Sequence, residues 1–104
     1  MTDINTHLES IRKFAEARDW GQFHTPKNLA MAIAGEAGEL AAEFQWLTPA
    51  ESANLEAEKK IQVASEMADV AIYLLRLADV LSIDLNHAIQ NKIEVNENRF
   101  PAIK

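Results

Sequence analysis

The stretch IQVASEMADVAIYLLRLADVL, Ile61 to Leu81, decides the fold. Drawn on a helix at about 100° per residue, it is apolar on nearly every side, which predicts a central helix packed by neighbours all round. No segment elsewhere shows sustained period-two alternation of apolar and polar residues. Only three Gly and three Pro interrupt 104 residues. The sequence therefore predicts an all-α chain built from long helices.

Working outward, the central helix extends back to about Ala50, with an interruption between Asn54 and Lys60. Upstream, Thr2 or Asp3 can cap a first helix whose Ile4, Leu8, Ile11 and Phe14 form one stripe, ending near Asp19. The run DWGQFHTPKN, with Gly21 and Pro26, reads as a loop. Asn28 can cap a second helix with Leu29, Ile33, Ala37, Leu40 and Phe44 on one face, stopping before Pro49. Downstream, Asp84 caps a last helix through Leu85, Ile89 and Ile93 that ends before Pro101. That makes four helices, or five if the interruption divides the central one. With no repeats, low-complexity tracts or linkers, residues 1–104 read as a single domain.

Bulk composition narrows the function classes. At 48% hydrophobic and 25% charged the chain is globular, but so short a chain has a modest core unless subunits share it. A homo-oligomer is expected. The formal net charge of −6 argues against a basic nucleic-acid-binding surface, though not against phosphates met through metal ions. The absence of cysteine removes disulfides and thiolate zinc sites and suits a reducing compartment. MTDINTHLES has no basic-then-apolar signal pattern, and no apolar run approaches the roughly twenty residues that span a bilayer. A soluble cytoplasmic protein without a membrane partner is the expectation.

The segment GEAGELAAEFQW, Gly35 to Trp46, sets Glu36, Glu39 and Glu43 in a narrow sector of the second helix, bordering the apolar stripe. On the central helix Glu66, Asp69 and Tyr73 share one meridian, flanked by Val70 and Leu77. One Glu-x-x-Glu pair alone is usually a solvated helix face. Two acid pairs at core edges are different, because converging carboxylates at low dielectric repel each other and take up protons unless a cation neutralises them. Hard oxygen ligands select Mg²⁺ or Mn²⁺, and Mg²⁺ keeps positions for water and substrate phosphates. Glu43 is equally compatible with facing water. A di-iron bundle would need Glu-x-x-His on two helices. The nearest approximation here, Asp84 to His87, lies on the last helix away from the acids.

Two further groups have two readings each. Lys92, Asn96 and Arg99 form a row on the last helix that can meet phosphate oxygens or simply face solvent. Trp20, Phe23, His24 and Trp46 crowd helix ends, where aromatic planes can stack on a base or close a small core.

RDWGQFH (Arg18–His24), PKNL (Pro26–Leu29), GEAGELAAEFQW, SEMADVAIYLL (Ser65–Leu75) and NKIEVNENRFP (Asn91–Pro101) together resemble the all-α nucleoside triphosphate pyrophosphohydrolases. They are most similar to the MazG-like branch that contains the dCTP pyrophosphatases. The similarity covers most of the chain, and the superfamily's metal signature, E-x-x-E then E-x-x-D, is whole at Glu36, Glu39, Glu66 and Asp69. The resemblance implies an antiparallel helical bundle, tetrameric as a dimer of dimers, that releases pyrophosphate from a nucleoside triphosphate with Mg²⁺. It implies that these four acids hold the metal and carry catalysis. Trp20, His24, Trp46 and Tyr73 would line the base and sugar pocket, and Lys92 and Asn96 would assist the phosphates. The two tryptophans favour dCTP or a modified dCTP, in pool house-cleaning. The alternatives are the same chemistry on dUTP or a damaged nucleotide, or a helical oligomer that binds without turnover. The chain lacks the long C-terminal extension of some dCTP pyrophosphatases, which leaves the metal signature untouched and the substrate range open.

Overall fold

The structure, a computed structural model, describes residues 3–103. Among them are five α-helices and one 3₁₀ turn: α1 (Ile4–Ala17), the turn Trp20–Gln22, α2 (Pro26–Ala42), α3 (Pro49–Ser52), α4 (Ala57–Val80) and α5 (Leu85–Arg99). The all-α expectation holds, and the interruption ahead of the central helix is real: residues 53–56 separate α3 from α4.

Helix starts follow side-chain chemistry. Asp3 accepts a hydrogen bond from the Thr6 backbone N–H at 2.9 Å, and Asp84 accepts one from that of His87 at 3.0 Å, each satisfying an otherwise orphaned donor. Asp84 is thus a cap rather than half of a metal-ligating pair with His87. Thr48 and Glu51 form a reciprocal capping box around the short α3. Two boundaries differ from the sequence reading. α2 starts one turn early, capped by Thr25 with Pro26 in its first turn, because proline has no N–H to lose at that position. It also ends early, at Ala42, so Glu43 and Phe44 lie in a turn and Phe44 does not continue the helical face.

The core is small. Ala15 of α1, Leu29 of α2 and Val63, Leu75 and Ala78 of α4 are its buried apolar residues. α2 packs along α4 more extensively than α1 does, and α5 packs substantially against no other element. Here the central-helix expectation needs correcting. Within one chain α4 is covered only in part: residues 75–79 are buried or half-buried, whereas Ile61, Met67, Ile72 and Leu74 remain exposed. The Cα radius of gyration is 16.5 Å, against about 13 Å for a compact chain of this length. Among the described residues no helix is long and apolar enough to cross a membrane.

α1 is tied to α4 by charge. Arg12 grips Asp79 through two hydrogen bonds, Nε at 2.8 Å and Nη2 at 2.5 Å, the paired geometry a guanidinium favours. That grip holds the Asp79 carboxyl below its ordinary value. Its contribution to stability is present above pH 3.8, the ordinary carboxyl value, and is lost as acid protonates the folded-state group. Asp79→Asn is expected to cost about 2 kcal/mol, because it also leaves the buried Arg76 short of an anion. A urea midpoint unchanged from wild type would refute this.

Candidate active site

Three of the four signature acids meet across the α2–α4 contact. One carboxylate oxygen from each of Glu36, Glu39 and Glu66 lies within 4.8 Å of the others. Glu36 and Glu39 are one turn apart on α2, and Glu66 comes from the facing side of α4. Oε2 of Glu36 and Oε2 of Glu66 are buried without a hydrogen-bond partner. A carboxylate is acceptor-only, so two orphaned oxygens facing a third acid are unfavourable as they stand. Burial, then the charge of Glu39, pushes the Glu36 carboxyl up. The same two causes, with Asp69 after them, push Glu66 up. None of Glu36, Glu39, Glu66 or Asp69 forms an ion pair among the described residues. Clustered hard oxygen donors with unsatisfied lone pairs and no cationic partner fit a divalent ion such as Mg²⁺ or Mn²⁺.

Glu43 is not part of that group. Its Oε1 takes the Lys59 ammonium at 2.7 Å, which closes the turn after α2 onto the start of α4. Asp69 also stands outside the three-acid group, yet its charge acts on both Glu36 and Glu66 and it lines the adjoining cavity.

That cavity, of about 150 Å³, lies between α1, α4 and the 3₁₀ turn. Trp20, His24, Asp69, Tyr73 and Arg76 line it with Ile11 and Phe14. The route by which Trp20 and His24 arrive is readable locally. Asp19 takes left-handed backbone, φ 55°, a conformation that Asp tolerates better than most residues, and this breaks the chain out of α1. The Phe23 and His24 backbone N–H groups bond back to the Trp20 carbonyl at 2.8 and 3.0 Å. The Asn28 side chain then pins the Phe23 carbonyl at 3.0 Å. Trp20 stands edge-on to both Phe14 and His24.

Trp20, His24 and Tyr73 are therefore gathered beside Asp69, whereas Trp46, Lys92 and Asn96 are not. Trp46 is 87% exposed in the turn after α2, and Lys92 and Asn96 are exposed on α5. A larger recess of about 520 Å³ lies elsewhere, along the α3–α4 connection. It holds no acid cluster, and its Lys59 is already taken by Glu43.

Sequence reasoning missed Arg76, which is only 8% exposed. Its Nε donates to His24 Nδ1 at 3.0 Å, and its Nη1 lies 3.5 Å from Asp79 Oδ2. The signal was there: carrying the Glu66, Asp69, Tyr73 meridian one further turn reaches position 76.

The model of the MazG-like family matches residues 31–104. The chain is 43% identical over 101 residues to dCTP pyrophosphatase 1 of Homo sapiens, an alignment covering 91% of this chain and 59% of that protein. It is 44% identical over 100 residues to dCTP pyrophosphatase 1 of Rattus norvegicus, covering 90% and 59%. The chain thus spans 59% of the length of these curated relatives. A solved pyrophosphatase from Archaeoglobus fulgidus superposes with a TM-score of 0.86 at 42% identity, covering 91% of this chain and 89% of that one.

Proposed function

The chain belongs to the MazG-like family, and from that premise we propose that it is a Mg²⁺-dependent nucleoside triphosphate pyrophosphohydrolase. Its products would be a nucleoside monophosphate and pyrophosphate. The observation that carries this reading is the three-acid cluster, with its two orphaned oxygens, next to an aromatic-walled cavity. The names of the relatives, dCTP pyrophosphatase 1, direct the substrate towards dCTP or a modified dCTP.

Glu36, Glu39 and Glu66 would hold the metal, and we assign Asp69 as the fourth ligand because it both lines the cavity and acts on the charge of the cluster. Bound there, a divalent ion supplies charge neutralisation for a triphosphate and lowers the barrier to attack at phosphorus. Trp20 and Tyr73 wall the base, and His24 offers it a hydrogen bond. A carboxylate oxygen left free of the ion takes the proton of the attacking water. We treat residues 1–104 as one functional domain, because Trp20 and His24 precede the family match and yet share a cavity with residues of α4.

We further propose a homotetramer, a dimer of dimers. The small core, the exposed apolar residues of α4 and the unpacked α5 support shared packing, and Trp46, Lys92 and Asn96 would then act at a site completed by a neighbouring copy. A cytoplasmic setting, where deoxynucleotide pools are, suits a cysteine-free chain and a house-cleaning role.

The test is to incubate the purified protein with Mg²⁺ and each common and modified nucleoside triphosphate in turn, resolving products by chromatography. dCTP should lead, with purine triphosphates about a hundredfold or more below it in kcat/KM. A purine leading would keep the metal site and overturn the pocket assignment. No turnover with any nucleotide would leave a binding module.

A further inference from the structure

A buried arginine is an unusual partner for a histidine, because the common arrangement sets a carboxylate or carbonyl against Nδ1–H and leaves Nε2 with the lone pair. Here the polarity is reversed. Arginine carries only donors and does not lose its proton in proteins. The nitrogen that receives Arg76 Nε at 3.0 Å, Nδ1 of His24, must therefore carry the lone pair. A neutral imidazole with its lone pair at Nδ1 has its proton on Nε2. Burial, then the charge of Arg76, pushes the His24 pKa down, so the neutral ring prevails near pH 7.

Arg76 is in turn held in place. Its Nη1 faces Asp79, and Asp79 is gripped from α1 by the two hydrogen bonds of Arg12. The relay Arg12, Asp79, Arg76, His24 runs from α1 through α4 to the loop before α2. Among the described residues Nε2 of His24 has no hydrogen-bond partner, and the ring lines the cavity beside Trp20 and Tyr73.

We propose that Arg76 is a positioning residue that fixes His24 as the Nε2–H tautomer, so that the cavity presents a donor and selects nucleosides offering an acceptor there, such as a ring carbonyl. His24 is then barred from serving as a general base through Nε2, and a ligand that offers a hydrogen at this point meets donor against donor. The ligand half of this inference rests on the nucleotide reading above; the tautomer half does not.

The experiment uses the full chain labelled with ¹⁵N-histidine, with His24→Gln to assign the signal among the three histidines. Wild type should show an unprotonated Nδ1 and a protonated Nε2 at neutral pH. Arg76→Met should move both nitrogens towards the average of two exchanging tautomers. It should also raise KM for dCTP about tenfold while kcat stays within about threefold. Arg76→Lys, which keeps a charged donor, should recover most of both properties. A proton on Nδ1 in wild type would overturn the proposal, as would a folded Arg76→Met variant with unchanged spectrum and KM. If Arg76→Met does not fold, the wild-type spectrum and Arg76→Lys still decide. If no nucleotide is turned over, the proposed function falls, and the spectrum alone decides the tautomer.

Discussion

Replacing Glu39 or Asp69 with alanine is expected to abolish pyrophosphate release, by on the order of a thousandfold or more in kcat, while the helical circular dichroism stays essentially that of wild type. The two halves of this expectation have the same origin. Glu36, Glu39 and Glu66 crowd together with no counter-charge of their own, so the metal-free fold gains nothing from their mutual approach. Removing one acid relieves repulsion where an ordinary core substitution would open a cavity. Activity and stability should therefore part company at these positions. Retained turnover in either variant would end the assignment of these acids to catalysis.

The second large effect is a stabilisation by divalent metal that grows with pH. Glu36 and Glu66 hold their protons more tightly in the folded chain than at the ordinary value of 4.5. Above that value the folded chain binds more protons than the unfolded one, so without metal these two acids make stability fall as pH rises through their folded-state range. A divalent ion needs ionised carboxylates, and it removes this penalty where the penalty is largest. At a hundredfold excess over Kd the gain is about 2.7 kcal/mol, several degrees or more in Tm for a domain of this size. The check is thermal unfolding at fixed protein concentration, with Mg²⁺ and with chelator, from about pH 5 to pH 8. Glu36→Gln should flatten the pH slope measured in chelator. Curves that coincide with and without metal across the range would refute the site. The Asp79 effect has the opposite sign and lies below pH 3.8, so the two do not overlap.

Most of the helical layout was legible because it depends on local signals. Asp84 reads as a cap and behaves as one, and the expected interruption ahead of the central helix is present, although it spans 53–56 and ends before Lys60. The start of α2 differs because the sequence reading placed the cap at Asn28, whereas proline at the first helical position sets it at Thr25. Its end was misread because the apolar stripe runs on to Phe44 after the hydrogen-bonded helix has stopped. The three-acid group was legible from spacing, since acids at i and i+3 share a helix face and the facing helix brings Glu66 to Glu36 and Glu39 while Asp69 stays outside. What spacing could not reveal was which acid is drawn off by a partner distant in sequence: Glu43 goes to Lys59. Arg76 was easy to pass over by residue type, because arginine is almost never fully buried unless paired, although its anion, Asp79, lies one turn away on the same helix.

α5 keeps Ile89, Ile93 and Val95 exposed along its length, and this bears on how the protein is made and destroyed. A newly synthesised copy in the proposed tetramer would have no finished interior to retreat into until it meets others, and in that interval its last helix would be open to proteases. Surviving copies would be those that assemble soonest, so cellular abundance would rise more steeply than synthesis rate and fall abruptly when expression is low. Dose, as much as catalysis, would then be written into a helix that carries none of the signature acids.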